Sequence, residues 1–315
     1  MNMIRLTSLA TLLISSSAFA AWPEKPITII VPWSAGGNTD TVARLVASGL
    51  QKELGVNVNV VNRTGGSGVV GHDAIKRARP DGYTLGIVTV EIAMMHHQKM
   101  AELSYQDYTP ISRLAVIYGG LQVAKDSPYQ DANQLIEAIK QQPGKLRASG
   151  SGLKSVWHLN TLGMLKSAGL PEDAVRFIPS QGASGALQEL VSGGVDFVTS
   201  SPGEAKGMVD AGMVRHLAIM SAQPSELYAS IPLFKQATPY DWSLTTWNVL
   251  AAPKGLPTDI QTTLTAAMKK VYESGELQKF ANNQGFEVGA LYDDALYQFM
   301  RQEDARFGEL LSTDK

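Results

Sequence analysis

Apolar residues along this chain follow two rhythms that take turns. Short β-branched or continuous apolar runs at residues 27–31, 56–61, 83–90, 146–149, 175–178, 195–198 and 214–220 read as strands. Between them, apolar positions recur at helical spacing. The clearest set is Val42, Leu45, Val46 and Leu50, with Gly55 just past its end. Further helices are predicted up to Ala78, over residues 133–140 and 155–168, up to Gly193-Gly194, and over residues 259–273 and 293–309. Strand and helix in alternation are the pattern of an α/β fold with a parallel sheet.

Glycine-rich turns punctuate this pattern where strand gives way to helix. Pro32 stops the first strand, and Trp33-Ser34-Ala35-Gly36-Gly37-Asn38-Thr39-Asp40 leads into the helix after it. Similar turns stand at Gly65-Gly66-Ser67-Gly68, at Gly150-Ser151-Gly152 and at Gln181-Gly182-Ala183-Ser184-Gly185. Glycine lets a backbone approach a ligand closely. The first amides of a helix have no partner inside it, so such turns can receive an anion. The first turn lacks the Gly-Lys-Ser/Thr ending of a P-loop and the Gly-x-Gly-x-x-Gly spacing of a dinucleotide site.

Two apolar segments, 121–128 and 249–257, each carry a lysine near the end and then a proline before a helix. Both read as strands passing between two lobes. That division puts residues 21–122 and 249–315 in a discontinuous first lobe and residues 123–248 in a second. The alternative is two ordinary strand-to-helix junctions that happen to look alike.

The amino terminus changes the picture of where the protein works. Arg5, the short apolar run at residues 6–14 and Ala18-Phe19-Ala20 form a secretory signal, with cleavage expected after Ala20. No later run is long and apolar enough to span a bilayer. The chain has no cysteine, which excludes disulfides and thiolate chemistry and suits the periplasm. A length of 315 residues with 44% hydrophobic content can build two domains with substantial cores. The net charge of −2 and the lack of a Lys/Arg cluster exclude nucleic acid as a partner.

Residues 22–33, the Ala35-Gly36-Gly37-Asn38-Thr39-Asp40 turn and Ala43-Arg44 resemble the substrate-binding receptors of tripartite tricarboxylate transporters, the Bug family. So do Val61-Asn62-Arg63, Gly65-Gly66-Ser67-Gly68, Gly71, Pro80-Asp81-Gly82-Tyr83-Thr84-Leu85, Gly150-Ser151-Gly152, His158-Leu159 and Gly193-Gly194-Val195-Asp196. The motifs occur in order over nearly the whole mature chain. The resemblance implies a two-lobed periplasmic binding protein fold, type II-like, with two crossing strands and a central cleft. It also implies capture of a small organic acid, a di- or tricarboxylate or an aromatic carboxylate, and its delivery to membrane permease subunits. One departure is Leu153-Lys154-Ser155, where the family often has a Pro-Thr pair. Ligand preference is not carried across that change.

The expected ligand site gathers Trp33, Ser34, Ala35, Gly36, Gly37, Asn38, Thr39 and Asp40 from the first turn. Gly150, Ser151, Ser155 and His158 come from the third turn, and Gln181, Gly182 and Ala183 from the fourth. Charge-assisted hydrogen bonds contribute about 1.5–3 kcal/mol each, and a helix terminus adds about 0.3–1 kcal/mol. Micromolar binding needs about 8 kcal/mol, so hydrogen bonds must carry most of it. Asp40 either meets ligand donors or satisfies amides at the helix start, the second being favoured because a carboxylate repels a carboxylate ligand. Thr39 and Ser155 either contact the ligand or cap helices. His158 is read first as a packed histidine, and Trp33 as either a pocket wall or a buried ring. Side chains near Glu91 or Trp247 are candidates to read the far end of the ligand. His96-His97 has no matched ligand set and reads as surface, so no metal or other cofactor is expected. The broken Gly-x-Ser-x-Gly at residues 182–185 gives no nucleophile elbow, and no paired carboxylates appear, so the chain is read as no enzyme. A receptor that docks to a sensor kinase, or a periplasmic hydrolase, remains as the alternative. The protein is expected to be a monomer.

Overall fold

The computed structural model describes residues 22–33, 35–36, 38–180 and 182–312. The chain opens with β1 (Ile27–Val31), α1 (Asn38–Leu54), β2 (Val58–Asn62), α2 (Val69–Lys76) and β3 (Thr84–Thr89). A long strand, β4 (Tyr108–Ala124), follows. Then come α3 (Ala132–Gln141), β5 (Arg147–Ser149), α4 (Val156–Ser167), β6 (Arg176–Phe177), α5 (Ala183–Val191) and β7 (Phe197–Ser200). The remainder is α6 (Pro202–Asp210), β8 (Val214–Met220), α7 (Phe234–Ala237), β9 (Thr245–Pro253), α8 (Thr258–Glu273), α9 (Glu276–Gln284) and α10 (Asp293–Ser312). Most expected strands and helices appear with their ends moved by a residue or two; the strand expected at 249–257 lies four residues earlier, the last helix runs three residues further, and the short α7 is not predicted by the sequence. Two further elements differ more. The sequence predicts no strand over residues 108–120, because two bulges, at Pro110/Ser112 and Arg113/Ala115, break the alternation there. Helix α9 is mostly polar and was hidden for that reason; Gly275 and Gly285, both with positive φ, close its ends.

Among the described residues, nine strands make one continuous curled sheet in the order β2-β1-β3-β9-β4-β7-β5-β6, with β8 also on β4. In the first half β1 is parallel to β2 and β3, while β9 runs antiparallel between β3 and β4. In the second half β5 is parallel to β6 and β7. Strand β4 belongs to both halves. Residues 108–118 pair with β9, and from Gly119 onward the strand lies between β7 and β8. The return passes at Leu244, whose amide donates to the Met220 carbonyl and whose carbonyl accepts from the Gly119 amide. The pairing thus changes a few residues before 122 and before 249.

Burial explains these choices. Ile27, Ile29, Ile30 and Val31 of β1 are all buried, as a strand covered on both faces requires. Helix α1 packs Val42, Ala43, Val46, Ala47 and Leu50 into the same core. The second half is layered in the same way. Leu121 and Val123 of β4 join Leu135, Ile139 and Phe197 in one cluster, while Ala124 packs on Leu187, Leu190, Val198 and Val214 in another. The first core also reaches Trp157 and Leu159 of α4, so the halves share apolar contact.

Gly71 shows how tightly α2 is seated. A Cβ there would lie 2.4 Å from Pro32 Cα and 2.6 Å from the Arg63 carbonyl oxygen, both backbone atoms. The Gly71→Ala variant should lose about 1–3 kcal/mol of stability, as for an overpacked site. Urea unfolding followed by circular dichroism measures it, and an unchanged midpoint would contradict this seating.

Candidate functional site

Each glycine turn follows the carboxyl end of a strand. In open α/β sheets that is where ligand crevices form. The first turn, between β1 and α1, is organised by one carboxylate. Asp40 is 2% exposed. It accepts from the Gly36 amide at 2.8 Å, from Arg44 Nε at 2.9 Å and Nη2 at 3.0 Å, and from Asn62 Nδ2 at 2.8 Å. Asn62 Nδ2 also donates to the Trp33 carbonyl at 2.9 Å, which ties this turn to the end of β2. Burial pushes the Asp40 carboxyl up, but the bonds from Arg44, Gly36 and Asn62 outweigh it, and the group titrates below the usual carboxylate range. Asp40 is therefore a structural anchor, and the Gly36 amide is occupied by it. Ala35 and Gly36 are exposed, and Asn38 and Thr39 are half-buried in the first turn of α1. Ser34, Gly37 and Gln181 lie outside the described residues.

Beneath the first turn lies a polar cluster that sequence reasoning did not assemble. His72, fully buried on α2, has Nδ1 2.8 Å from the Gly68 carbonyl, so that nitrogen carries the hydrogen. Its Nε2 accepts from the Thr89 amide at 3.1 Å. Burial holds His72 neutral, lowering it to about 4. The Thr89 hydroxyl donates to Glu91 Oε2 and accepts from Trp33 Nε1 at 3.3 Å. Glu91 is buried and its carboxyl is raised by that burial, partly offset by the Thr89 hydroxyl and its own amide. The half-buried Trp33 ring lies over the second glycine turn: a Cβ on Gly68 would be 3.2 Å from its Cζ2. Trp247 does not read a ligand end. It is 1% exposed in β9, and its Nε1 donates to Glu303 Oε2 at 3.1 Å.

The third and fourth turns are joined to each other. Gly150 leaves no room for a side chain, since a Cβ would lie 2.4 Å from the Thr199 carbonyl oxygen. The Ser180 amide donates to the Ser151 carbonyl at 3.1 Å. Gly182, at φ 147°, immediately precedes α5, which begins at the buried Ala183. The Gly182 amide donates to Ser180 Oγ at 3.2 Å. Ser155 immediately precedes α4 but makes no side-chain cap. Its hydroxyl donates to the Gly152 carbonyl at 2.5 Å. That leaves the half-buried Ser151 hydroxyl as the donor in its contact with Ser155 Oγ. His158 Nδ1 accepts from the Lys154 amide at 3.1 Å, so Nε2 carries the ring hydrogen. The ring packs on Phe177 with centroids 4.4 Å apart, and burial lowers its pKa. His158 is thus the packed histidine of the first reading.

The turns of the two halves meet. A Cβ on Gly152 would lie 4.0 Å from Ser67 Oγ of the second turn. Gln98 Nε2, in the connection between β3 and β4, donates to the Lys154 carbonyl at 3.0 Å. Ser67 and Gln98 were missed as site residues; only the glycines around Ser67 gave a signal, and Gln98 gave none. Two sizeable cavities lie elsewhere. One of about 220 Å³ sits between α4 and the end of α10, lined by Leu159, Leu162, Leu310 and Leu311. The other, of about 520 Å³, lies beside Tyr108, Lys254 and Tyr297. Neither touches the glycine turns, and neither brings together the buried, convergent polar groups of a recognition site.

Two α/β halves joined by a crossing strand, with glycine turns meeting between them, are the architecture of a periplasmic binding protein. Residues 42–314 match the profile of the tripartite tricarboxylate transporter family receptor, and the chain belongs to that family. It is 29% identical to the protein BugT of Bordetella pertussis over 285 residues, 87% of this chain and 86% of that protein. Among solved structures it is similar to Rpa4515 of R. palustris with adipate, at 27% identity and a TM-score of 0.84, covering 93% of this chain and 98% of that one. It is also similar to MatC of Rhodopseudomonas palustris with bound malate, at 25% identity and a TM-score of 0.79, covering 92% of this chain and 100% of that one.

The anchoring role of Asp40 has a pH signature. Its carboxyl is depressed in the folded state, so its contribution is complete above the unfolded carboxylate value. It is lost as pH falls through the lower folded value. The Asp40→Asn variant should be less stable than wild type by about 1–3 kcal/mol at pH 7, with the gap closing below about pH 4. Thermal melts across pH test it, and a gap that persists in acid would show that shape, not charge, is what the turn needs.

Proposed function

We propose that this protein is an exported solute-binding protein that captures a small organic carboxylate between the glycine turns and delivers it to a tripartite tricarboxylate transporter-type permease. The observation that carries this reading is the approach of the third turn to the second, with Gly152 beside Ser67 and Lys154 held by Gln98. A ligand seated there contacts both halves, as any ligand that favours a closed form must. The neighbours solved with adipate and with malate support a carboxylate, and both of those ligands are dicarboxylates. The lobe division at 122/123 and 248/249, removal of residues 1–20 and a monomeric state belong to the same reading.

Within this proposal the first turn offers backbone amides and Thr39, and the third offers backbone amides and Ser151. Ser151 can turn its hydroxyl from Ser155 to an incoming carboxylate, because Ser155 keeps its own hydrogen on the Gly152 carbonyl. Asp40 shapes the turn without touching the ligand. The buried Thr89–Glu91 pair lies behind Trp33 and supports the floor. Binding leaves the ligand unchanged; among the described residues of these turns no hydroxyl is set against a histidine or carboxylate base.

Calorimetry with malate, succinate, adipate, citrate and benzoate tests the reading. One of these acids should bind saturably and raise the melting temperature by mass action. Ser151→Ala should then weaken it about 3- to 10-fold, the loss of about one hydrogen bond. If none of the acids binds, the carboxylate assignment is wrong. If one binds and Ser151→Ala matches wild type, the hydroxyl faces elsewhere.

A further inference from the structure

The fold gives His96-His97 the partner that the sequence lacked. Asp304, on α10, reaches the connection between β3 and β4. His96 Nε2 lies 3.2 Å from Asp304 Oδ1, and His97 Nε2 lies 3.6 Å from Oδ2. One ligand atom from each of the three side chains falls within 4.8 Å of the others. We propose that His96, His97 and Asp304 form a site for a divalent transition-metal ion such as Zn2+.

The placement of the ring nitrogens and the carboxylate favours a cation. His96 Nδ1 lies 3.0 Å from the Leu103 carbonyl, so it carries the ring hydrogen. Nε2 is then the ring nitrogen that faces Asp304. Asp304 Oδ1, which it faces, is buried and accepts no hydrogen bond. The two atoms lie 3.2 Å apart without a hydrogen bond between them, which leaves the buried carboxylate oxygen without a partner. A metal ion supplies that partner, because ligands converge on a third point instead of on each other. Two ligand atoms about 2.1 Å from a tetrahedral ion stand about 3.4 Å apart, close to the 3.2 Å between His96 Nε2 and Asp304 Oδ1, while the full set, within 4.8 Å, has to draw together. The remaining imidazole has room to adjust. The His97 ring is partly exposed, and its Nε2 hydrogen donates to the Asp304 carbonyl at 3.1 Å, so the ring must leave that bond and shift its hydrogen to Nδ1 before Nε2 takes an ion. It lies flat on α10 because residue 308 is glycine; a Cβ there would be 2.8 Å from the ring Cε1.

Two imidazoles and one carboxylate suit zinc, nickel or copper and disfavour calcium and magnesium, which prefer oxygen alone. Three protein ligands leave a position for water. The ion would tie the connection that carries Gln98 to α10, and Gln98 is the residue that meets Lys154 on the other half. The site is independent of the carboxylate reading.

The test uses the untagged, chelator-treated protein with Zn2+ alone. Calorimetry should give one ion per chain and a rise in melting temperature with saturating metal. Asp304→Asn and His96→Gln, each checked for folding by circular dichroism, should lower the affinity at least tenfold, while His158→Gln should match wild type. X-ray absorption on the loaded protein should show two imidazoles in the first shell. Absence of saturable binding, full affinity in the folded Asp304→Asn variant, or a shell without two imidazoles would each overturn the proposal.

Discussion

One strand must satisfy two sheets, and the rest of the molecule is arranged around that demand. Along β4 the backbone gives its hydrogen bonds to β9 up to Tyr118 and then to β7 and β8 from Gly119 onward. Buried backbone groups need partners throughout such a change. Space is the second constraint. A Cβ on Gly119 would meet Asn160 Nδ2 at 2.7 Å, and one on Gly120 would meet Gln122 Nε2 at 2.6 Å. The Gly-Gly pair therefore marks where the chain slips between the helices of the second half. Because β4 is continuous, the two halves cannot separate. They can only turn about this strand and the return at Leu244.

The back of the junction is closed by a second device. Segment 285–287 lies between the halves. Val116 and Glu287 exchange backbone hydrogen bonds at 2.8 and 3.1 Å. The Glu287 carboxylate accepts from Tyr118 on the crossing strand at 2.6 Å and from Ser225 beyond β8 at 2.5 Å. Gly203 at the start of α6 approaches so closely that a Cβ would lie 2.5 Å from the Gly285 carbonyl oxygen. The glycine turns are held differently. Across them the described contacts are the Gln98–Lys154 hydrogen bond and the van der Waals approach of Ser67 to Gly152.

How much of this was legible depended on how local the signal was. The β1–α1 unit and the glycine turns could be read directly, because apolar runs and glycines are neighbours in sequence. The favoured reading of Asp40 as an anchor followed from charge repulsion alone, although its tie to Asn62 did not. What escaped notice was non-local. The first part of β4, residues 108–120, was hidden by its bulges. Gln98 meets Lys154 56 positions away. His97 meets Asp304 207 positions away. No pattern along the chain announces such pairs. The neighbourhood of Trp247 was named for the far end of the ligand, but the Trp247 ring itself is buried and bonded to the Glu303 carboxylate.

The contrast between back and front bears on how such a molecule releases what it holds. At the back, the hydrogen bonds of β4, β9 and Glu287 run between groups that are buried or part-buried, where leaving them unmade is costly. They therefore persist in any arrangement of the halves. At the front, the Gln98–Lys154 hydrogen bond is exposed, and water replaces it at a net cost of about 0.5–1.5 kcal/mol. An interaction that weak cannot by itself fix the closed arrangement. Any ligand whose groups bond to both sides of the turns adds several such interactions at once and decides the balance. Release then needs no large driving force, because the hydrogen bond described across the front is an exposed and weak one. A turn floor made of backbone amides and hydroxyls, anchored from below by Asp40 and by the His72–Thr89–Glu91 cluster, suits that role.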